Sequence, residues 1–194
     1  MNEVMEIKIN DSLTLELPLI KTNKFSYYSF NMLGMSKWNR IIGIHLYELI
    51  KRRKPNIKID AIVTVESKAI GLAQVISELY GIDQYIIFRK SKKSYMINPI
   101  EYKSTTIISG ECSYWIDSNE LESLANKNIL FLDDVISTGG TLNGVLKALS
   151  ILKLKPVLIA CVFTEKYDWQ IFDDIEVISC GHLPIITGEF NHDR

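Results

Sequence analysis

From about Glu6 to Leu19, apolar and polar side chains alternate, with Ile7, Ile9, Leu13, Leu15 and Leu17 as the apolar set. A period of two marks half-buried strands, and Asn10-Asp11-Ser12 breaks it as a turn, so the spacing predicts a hairpin at an edge of the fold. From Lys37 to Lys54 the period lengthens: Trp38, Ile41, Ile42, Leu46, Leu49 and Ile50 follow helical spacing, Ser36 precedes them as an N-cap, and Pro55 lies beyond the end. Ala61-Ile62-Val63-Thr64-Val65 is a continuous β-favouring run, as expected of a strand buried on both faces. A short turn from Glu66 to Ala69 leads into a helix from about Ile70 to Tyr80, stopped by Gly81. A second buried strand, Tyr85 to Phe88, completes a βαβ unit.

The same grammar recurs downstream. Asn128 to Leu132 reads as a strand, Asp133 to Gly140 as a turn, and Thr141 to about Lys153 as a helix with the stripe Leu142, Val145, Leu146, Leu149 and Leu152. Val157 to Phe163 gives a further strand after Pro156, and Ile175 to Ser179 another. Alternating helices and near-continuously apolar strands predict an α/β fold with a doubly wound, mainly parallel sheet. Ligands of such sheets bind beyond the carboxyl ends of the strands. Between Ser91 and Ser109 the chain turns polar and basic, with Lys92, Lys93, Lys103 and Pro99. This predicts a long loop and then a hairpin turning near Ser109-Gly110-Glu111, placed as a lid over a site.

Composition narrows the function. The chain has 194 residues, 47% of them hydrophobic, which suits one core, and its formal net charge of −1 offers no general field for nucleic acid or an anionic membrane. Met1 to Asn10 reads as neither a signal peptide nor a spanning helix. Cys112, Cys161 and Cys180 are scattered without metal-ligand spacing. A cytoplasmic setting is the expectation.

The chemistry concentrates in Leu132-Asp133-Asp134-Val135-Ile136-Ser137-Thr138-Gly139-Gly140-Thr141, where a buried strand hands over to a helix. A helix start offers unpaired N–H groups and the positive end of its dipole, so Ser137, Thr138, Gly139, Gly140 and Thr141 can wrap a phosphate. Two carboxylates beside a phosphate cradle must face something else, and vicinal ribose hydroxyls fit Asp133 and Asp134. One ligand with phosphate, diol and a metal-binding pyrophosphate meets all these demands, and phosphoribosyl pyrophosphate (PRPP) is such a ligand. No GxxxxGK[ST] and no G-x-G-x-x-G after a strand is present, which removes the usual triphosphate and dinucleotide readings.

The stretch Ile129 to Thr141 resembles the PRPP signature of the type I phosphoribosyltransferases, nearest to purine members of the adenine phosphoribosyltransferase kind. The resemblance implies that the paired acids hold the ribose hydroxyls and that the Ser137 to Thr141 loop holds the 5-phosphate. Val63 to Gly71 is similar to the family's pyrophosphate loop, with Ser67 and Lys68 as pyrophosphate ligands. Arg89-Lys90 after the second strand resembles a further basic pair, joined by Lys93. Cys180 to Ile186 resembles the tail of adenine-enzyme relatives. Together these imply a single domain with a core over about 37–165, a small hood from about 1–36 and 180–194, and a mobile lid over about 91–117. They also imply Mg2+ carried mainly by PRPP, with Asp133 or Asp134 as a contact, and a homodimer acting on PRPP and a purine base, adenine favoured, without nucleic acid or membrane partners. The resemblance leaves two alternatives: a xanthine or hypoxanthine-guanine enzyme, and a PRPP-sensing regulator without useful catalysis. The adenine enzymes' Glu-Tyr-Gly is replaced here by Ser109-Gly110-Glu111-Cys112, and the acid of hypoxanthine-guanine relatives by Ser137.

Overall fold

The computed structural model describes residues 3–22, 25–106 and 110–186, side chains excepted between 104 and 112. An amino-terminal group of strands, β1 (Val4–Asn10), β2 (Leu13–Lys21) and β3 (Ser26–Tyr28), leads into helix α1 (Ser36–Arg53). Next come β4 (Ala61–Val65), α2 (Ile70–Tyr80), β5 (Ile86–Phe88), the hairpin β6 (Pro99–Thr106) and β7 (Gly110–Asp117), and the short α3 (Ser118–Glu122). The chain continues with β8 (Ile129–Ile136), α4 (Gly140–Ile151), β9 (Leu158–Glu165), β10 (Ile171–Phe172), β11 (Ile175–Leu183) and β12 (Ile185–Ile186).

The central sheet runs β10-β11-β9-β8-β4-β5 and is parallel from β11 to β5, with β10 antiparallel at its edge. Every residue of β4 and β9 is buried, as the unbroken apolar runs require of strands covered on both faces. One face packs against α1, α2 and the amino-terminal strands, through residues such as Leu15, Leu17, Ile42, Leu46 and Leu72. The other packs against α4, α3 and the hairpin, through Leu142, Val145, Leu149, Leu121 and Ile116. Phe131 on β8 is fully buried in this second layer, and truncating it to alanine would cost about 3–5 kcal/mol. A separate sheet, β1-β2-β3-β12, joins the amino-terminal hairpin to the carboxy-terminal strand through Ile185↔Tyr27, which makes the small hood.

Several boundaries differ from the sequence pattern, among them β9, which runs from Leu158 to Glu165. Ser36 is the first helical residue of α1 and not its N-cap; Met35 takes that position without a side-chain cap. Gly34, at φ 75°, turns the chain sharply into the helix, and Asn39 fastens the entry by donating from Nδ2 to Met32 O (2.8 Å) and Met35 O (2.9 Å). Asp133 and Asp134 lie inside β8 and not in a turn, because pairing with β9 continues from Asp133↔Cys161 to Ile136↔Thr164. Likewise β11 runs beyond Ser179 to Leu183, drawn on by its partners in β9.

The polar segment after β5 pairs as a hairpin from Pro99↔Asp117 to Thr106↔Gly110. Gly110 and Glu111 thus stand in β7, while Ser109 falls outside the described residues. Arg89 and Trp115 exchange backbone hydrogen bonds of 2.8 and 2.6 Å, tying the hairpin to the end of β5, and α4 packs against β6.

Candidate active site

Strand β8 carries two carboxylates to the carboxyl end of the sheet and then turns into α4. Asp133 and Asp134 are each only 8% exposed. The Asp134 N–H donates to Asp133 Oδ1 at 2.9 Å, which fixes one carboxylate against the backbone of the next residue. Burial, and then the neighbouring Asp134 charge, push the Asp133 carboxyl well above the usual carboxylate range. Asp134 Oδ2 is buried and accepts no hydrogen bond among the described residues; Lys68 Nζ stands 3.6 Å away. A buried acceptor without a hydrogen bond is expensive and calls for an explanation, such as a catalytic role or a bound ion or water.

The loop that follows reaches Gly139, which caps α4 in the left-handed region at φ 76°. Only glycine suits the position, since a Cβ there would collide with the Phe172 ring. The N-cap residue of α4 supplies no side-chain cap, and the positive end of a helix dipole favours an anion. Behind this loop, Trp169 Nε1 donates to Ser137 O at 2.8 Å.

A second loop enters from β4. The Glu66–Ser67 peptide is cis, the only such bond among the described residues. Lys68 next to it donates to Phe30 O at 3.2 Å, so one ammonium joins the hood entry to Asp134. Glu66 faces the other way: it accepts from the Lys90 N–H at 2.8 Å and attracts Arg89 and Lys93 at 3.8 and 3.9 Å.

One cavity of about 310 Å3 gathers Glu66, Ser67, Lys68, Lys90, Asp133, Asp134 and all of Ser137 to Thr141. Two residues expected at the site, Arg89 and Lys93, stand outside its lining, held by Glu66. Four further residues stand at or beside the site, of which only His182 lies in a stretch that the sequence reading singles out, Cys180 to Ile186. Tyr114 on the hairpin lines the cavity and lies 3.3 Å from the Thr141 hydroxyl. Glu165, only 6% exposed at the end of β9, stands near Ser137, Lys68 and His182; burial raises its carboxyl, against the opposing pull of those three neighbours. His182 itself is anchored through Nδ1 to the Thr164 hydroxyl at 3.0 Å. Trp169 is the fourth. A charged residue closing an apolar strand run, as in Val162-Phe163-Thr164-Glu165, was the available signal for Glu165. Among the described residues no group of three or more His, Cys, Asp or Glu could hold a metal; the buried carboxylates Asp133 and Asp134 are oxygen donors of the kind a hard cation takes.

A parallel sheet that delivers paired, buried carboxylates to a helix start, beside a lysine-bearing loop, defines an α/β protein with a polar cleft at the carboxyl ends of its strands. Residues 38–189 match the family model of the phosphoribosyl transferase domain, and the chain belongs to that family: it is a phosphoribosyltransferase of the purine group, with the type I fold. The hypoxanthine/guanine phosphoribosyltransferase of Methanobacterium lacus is 28% identical over 90% of this chain and 90% of its own. That of Methanothrix soehngenii is 33% identical over 71% of this chain and 69% of its own. Among solved structures, adenine phosphoribosyltransferase from Saccharomyces cerevisiae superposes with a TM-score of 0.61, covering 84% of this chain and 93% of that one at 17% identity, a likeness of fold.

Proposed function

We propose that the chain transfers the phosphoribosyl group of PRPP to a purine base, releasing pyrophosphate, and that the base is hypoxanthine or guanine ahead of adenine. The orphaned Asp134 Oδ2, set in one cavity with the Ser137–Thr141 helix start, carries the reading. The base assignment rests on the names of the sequence relatives. The adenine expectation stays as the second reading, supported by the Cys180–Ile186 resemblance.

In this reading the Ser137–Thr141 loop takes the 5-phosphate, Asp133 and Asp134 accept from the ribose hydroxyls, and Ser67, Lys68 and Lys90 receive pyrophosphate, with Arg89 and Lys93 strengthening the local field. Mg2+, held mostly by PRPP with Asp133 or Asp134 at its side, would neutralise pyrophosphate charge. The base nitrogen bonds to C1 as the C1–O bond breaks and its electron pair leaves with pyrophosphate, and the base's N–H proton passes to the departing pyrophosphate or to water. The protein's part is to align the two reactants, to screen the leaving group and to keep water from the cation-like sugar. The β6–β7 hairpin, placed over α4 and tied to β5, serves as the cover. A homodimer and a cytoplasmic setting belong to the same reading; among the described residues no helix is long and apolar enough to cross a membrane.

The test is pyrophosphate release from PRPP and Mg2+ with a panel of hypoxanthine, guanine, xanthine, adenine, uracil and orotate. The expected result is turnover with hypoxanthine or guanine, and its loss by at least about 100-fold in Asp134→Asn. Turnover with adenine alone would select the second reading. Binding of PRPP without turnover on any base would make the chain a sensor of PRPP.

A further inference from the structure

The segment after β9 contributes no residue to the cavity lining, yet it is built against the phosphate loop that does line it. It carries Tyr167, Trp169 and Phe172, whose rings meet edge to face in sequence, with centroids 5.3 Å apart from Tyr167 to Trp169 and 4.9 Å from Trp169 to Phe172. Left-handed residues bend the chain on both sides, Lys166 at φ 63° before it and Asp173 and Asp174 at φ 50° and 60° after it. Two of the aromatics end on the loop. Trp169 Nε1 donates to Ser137 O at 2.8 Å, and Phe172, 8% exposed, lies so close under Gly139 that no Cβ could stand there. Glu165, at the root of the segment, stands near Ser137.

The Ser137–Thr138 peptide is trans, so its carbonyl and the Thr138 N–H point in opposite directions from one plane. A donor that fixes the carbonyl from behind therefore turns the Thr138 amide forward, toward the cavity that Thr138 to Thr141 line. We propose that Trp169, braced by Phe172, is a positioning residue that holds the phosphate loop in its anion-binding shape and thereby sets the affinity for PRPP. The inference rests on the sugar-phosphate reading of the loop. Its physical content is preorganisation: a loop already shaped spends less of its binding energy on ordering.

The test compares the wild-type protein with Trp169→Phe and with a variant carrying 3-benzothienylalanine at 169, which keeps the bicyclic shape and deletes only the N–H. Calorimetric Kd values for PRPP and ribose 5-phosphate, KM for the purine, kcat and Tm are measured on each. The expected result is a rise in both Kd values of about 3–10-fold, the range of one net hydrogen bond, with purine KM and kcat within about twofold. The isostere should also melt with the wild type, so it answers the question even where Trp169→Phe fails to fold. Unchanged Kd values in the isostere would overturn the proposal. So would equal rises in PRPP and purine KM, which mark general loosening. A wild-type protein that binds neither PRPP nor ribose 5-phosphate would instead sink the sugar-phosphate reading beneath it.

Discussion

Gly139→Ala probes the junction on which the site depends, and its cost divides into two parts that can be measured separately. The residue sits at φ 76°, where a side-chain-bearing residue loses about 1–2 kcal/mol. The added Cβ also meets the buried Phe172 ring, and overpacking of this kind costs about 1–3 kcal/mol more. The sum, about 2–5 kcal/mol, corresponds to a fall in Tm of about 4–20 °C for a chain of this size. Gly81 supplies the control, because it has nearly the same backbone, φ 67°, with nothing within 4 Å of the position a Cβ would take. Gly81→Ala should therefore lose only the first part, about 2–8 °C. Differential scanning calorimetry on the two variants, with PRPP titrated into each, reads both quantities. The deeper loss and a weakened PRPP affinity should belong to Gly139→Ala alone. Equal Tm values for the two variants would refute the packing of Phe172 under the phosphate loop.

Glu165→Gln tests a buried carboxyl whose folded pKa stands above the ordinary glutamate range. A group raised in this sense favours the folded state fully below the unfolded pKa and loses that contribution as pH rises through the folded value. The glutamine variant should gain in Tm relative to wild type between pH 5 and pH 8; a constant difference across that window would contradict the burial argument. Lys68→Met removes the cation nearest the orphaned Asp134 oxygen and the donor to Phe30 O. Charge-assisted hydrogen bonds contribute about 1.5–3 kcal/mol, so KM for PRPP should rise about 10–100-fold, and steady-state kinetics with unchanged KM would remove Lys68 from the site.

The parts of this architecture that were legible in the sequence are those written locally. The buried strands announced themselves as unbroken apolar runs, and Asp133 to Thr141 is a contiguous stretch whose strand-to-helix position is visible from its flanks. Lys68 could be placed beside it because both follow strands of one parallel sheet, whose carboxyl ends share an edge. Glu165 was not legible, and His182 was visible only as part of the Cys180–Ile186 resemblance, because the two converge only through the register of β8, β9 and β11, which the order of strands along the chain does not reveal. Trp169 and Phe172 belong to no local pattern in the sequence, and only folding of the segment that holds β10 brings them against Ser137 and Gly139. Tyr114 reaches Thr141 only because the hairpin packs over α4. The early end assigned to the acid-bearing strand has a similar cause: carboxylates look like turn residues, and only pairing with β9 keeps them extended.

A crystal of the protein grown with PRPP bears most directly on the whole account. The monoester should lie within hydrogen-bonding distance of the amides from Ser137 to Thr141, with both ribose hydroxyls on Asp133 and Asp134 and the pyrophosphate beside Lys68. Density for the sugar phosphate at any other place, with that helix start still vacant, would contradict it.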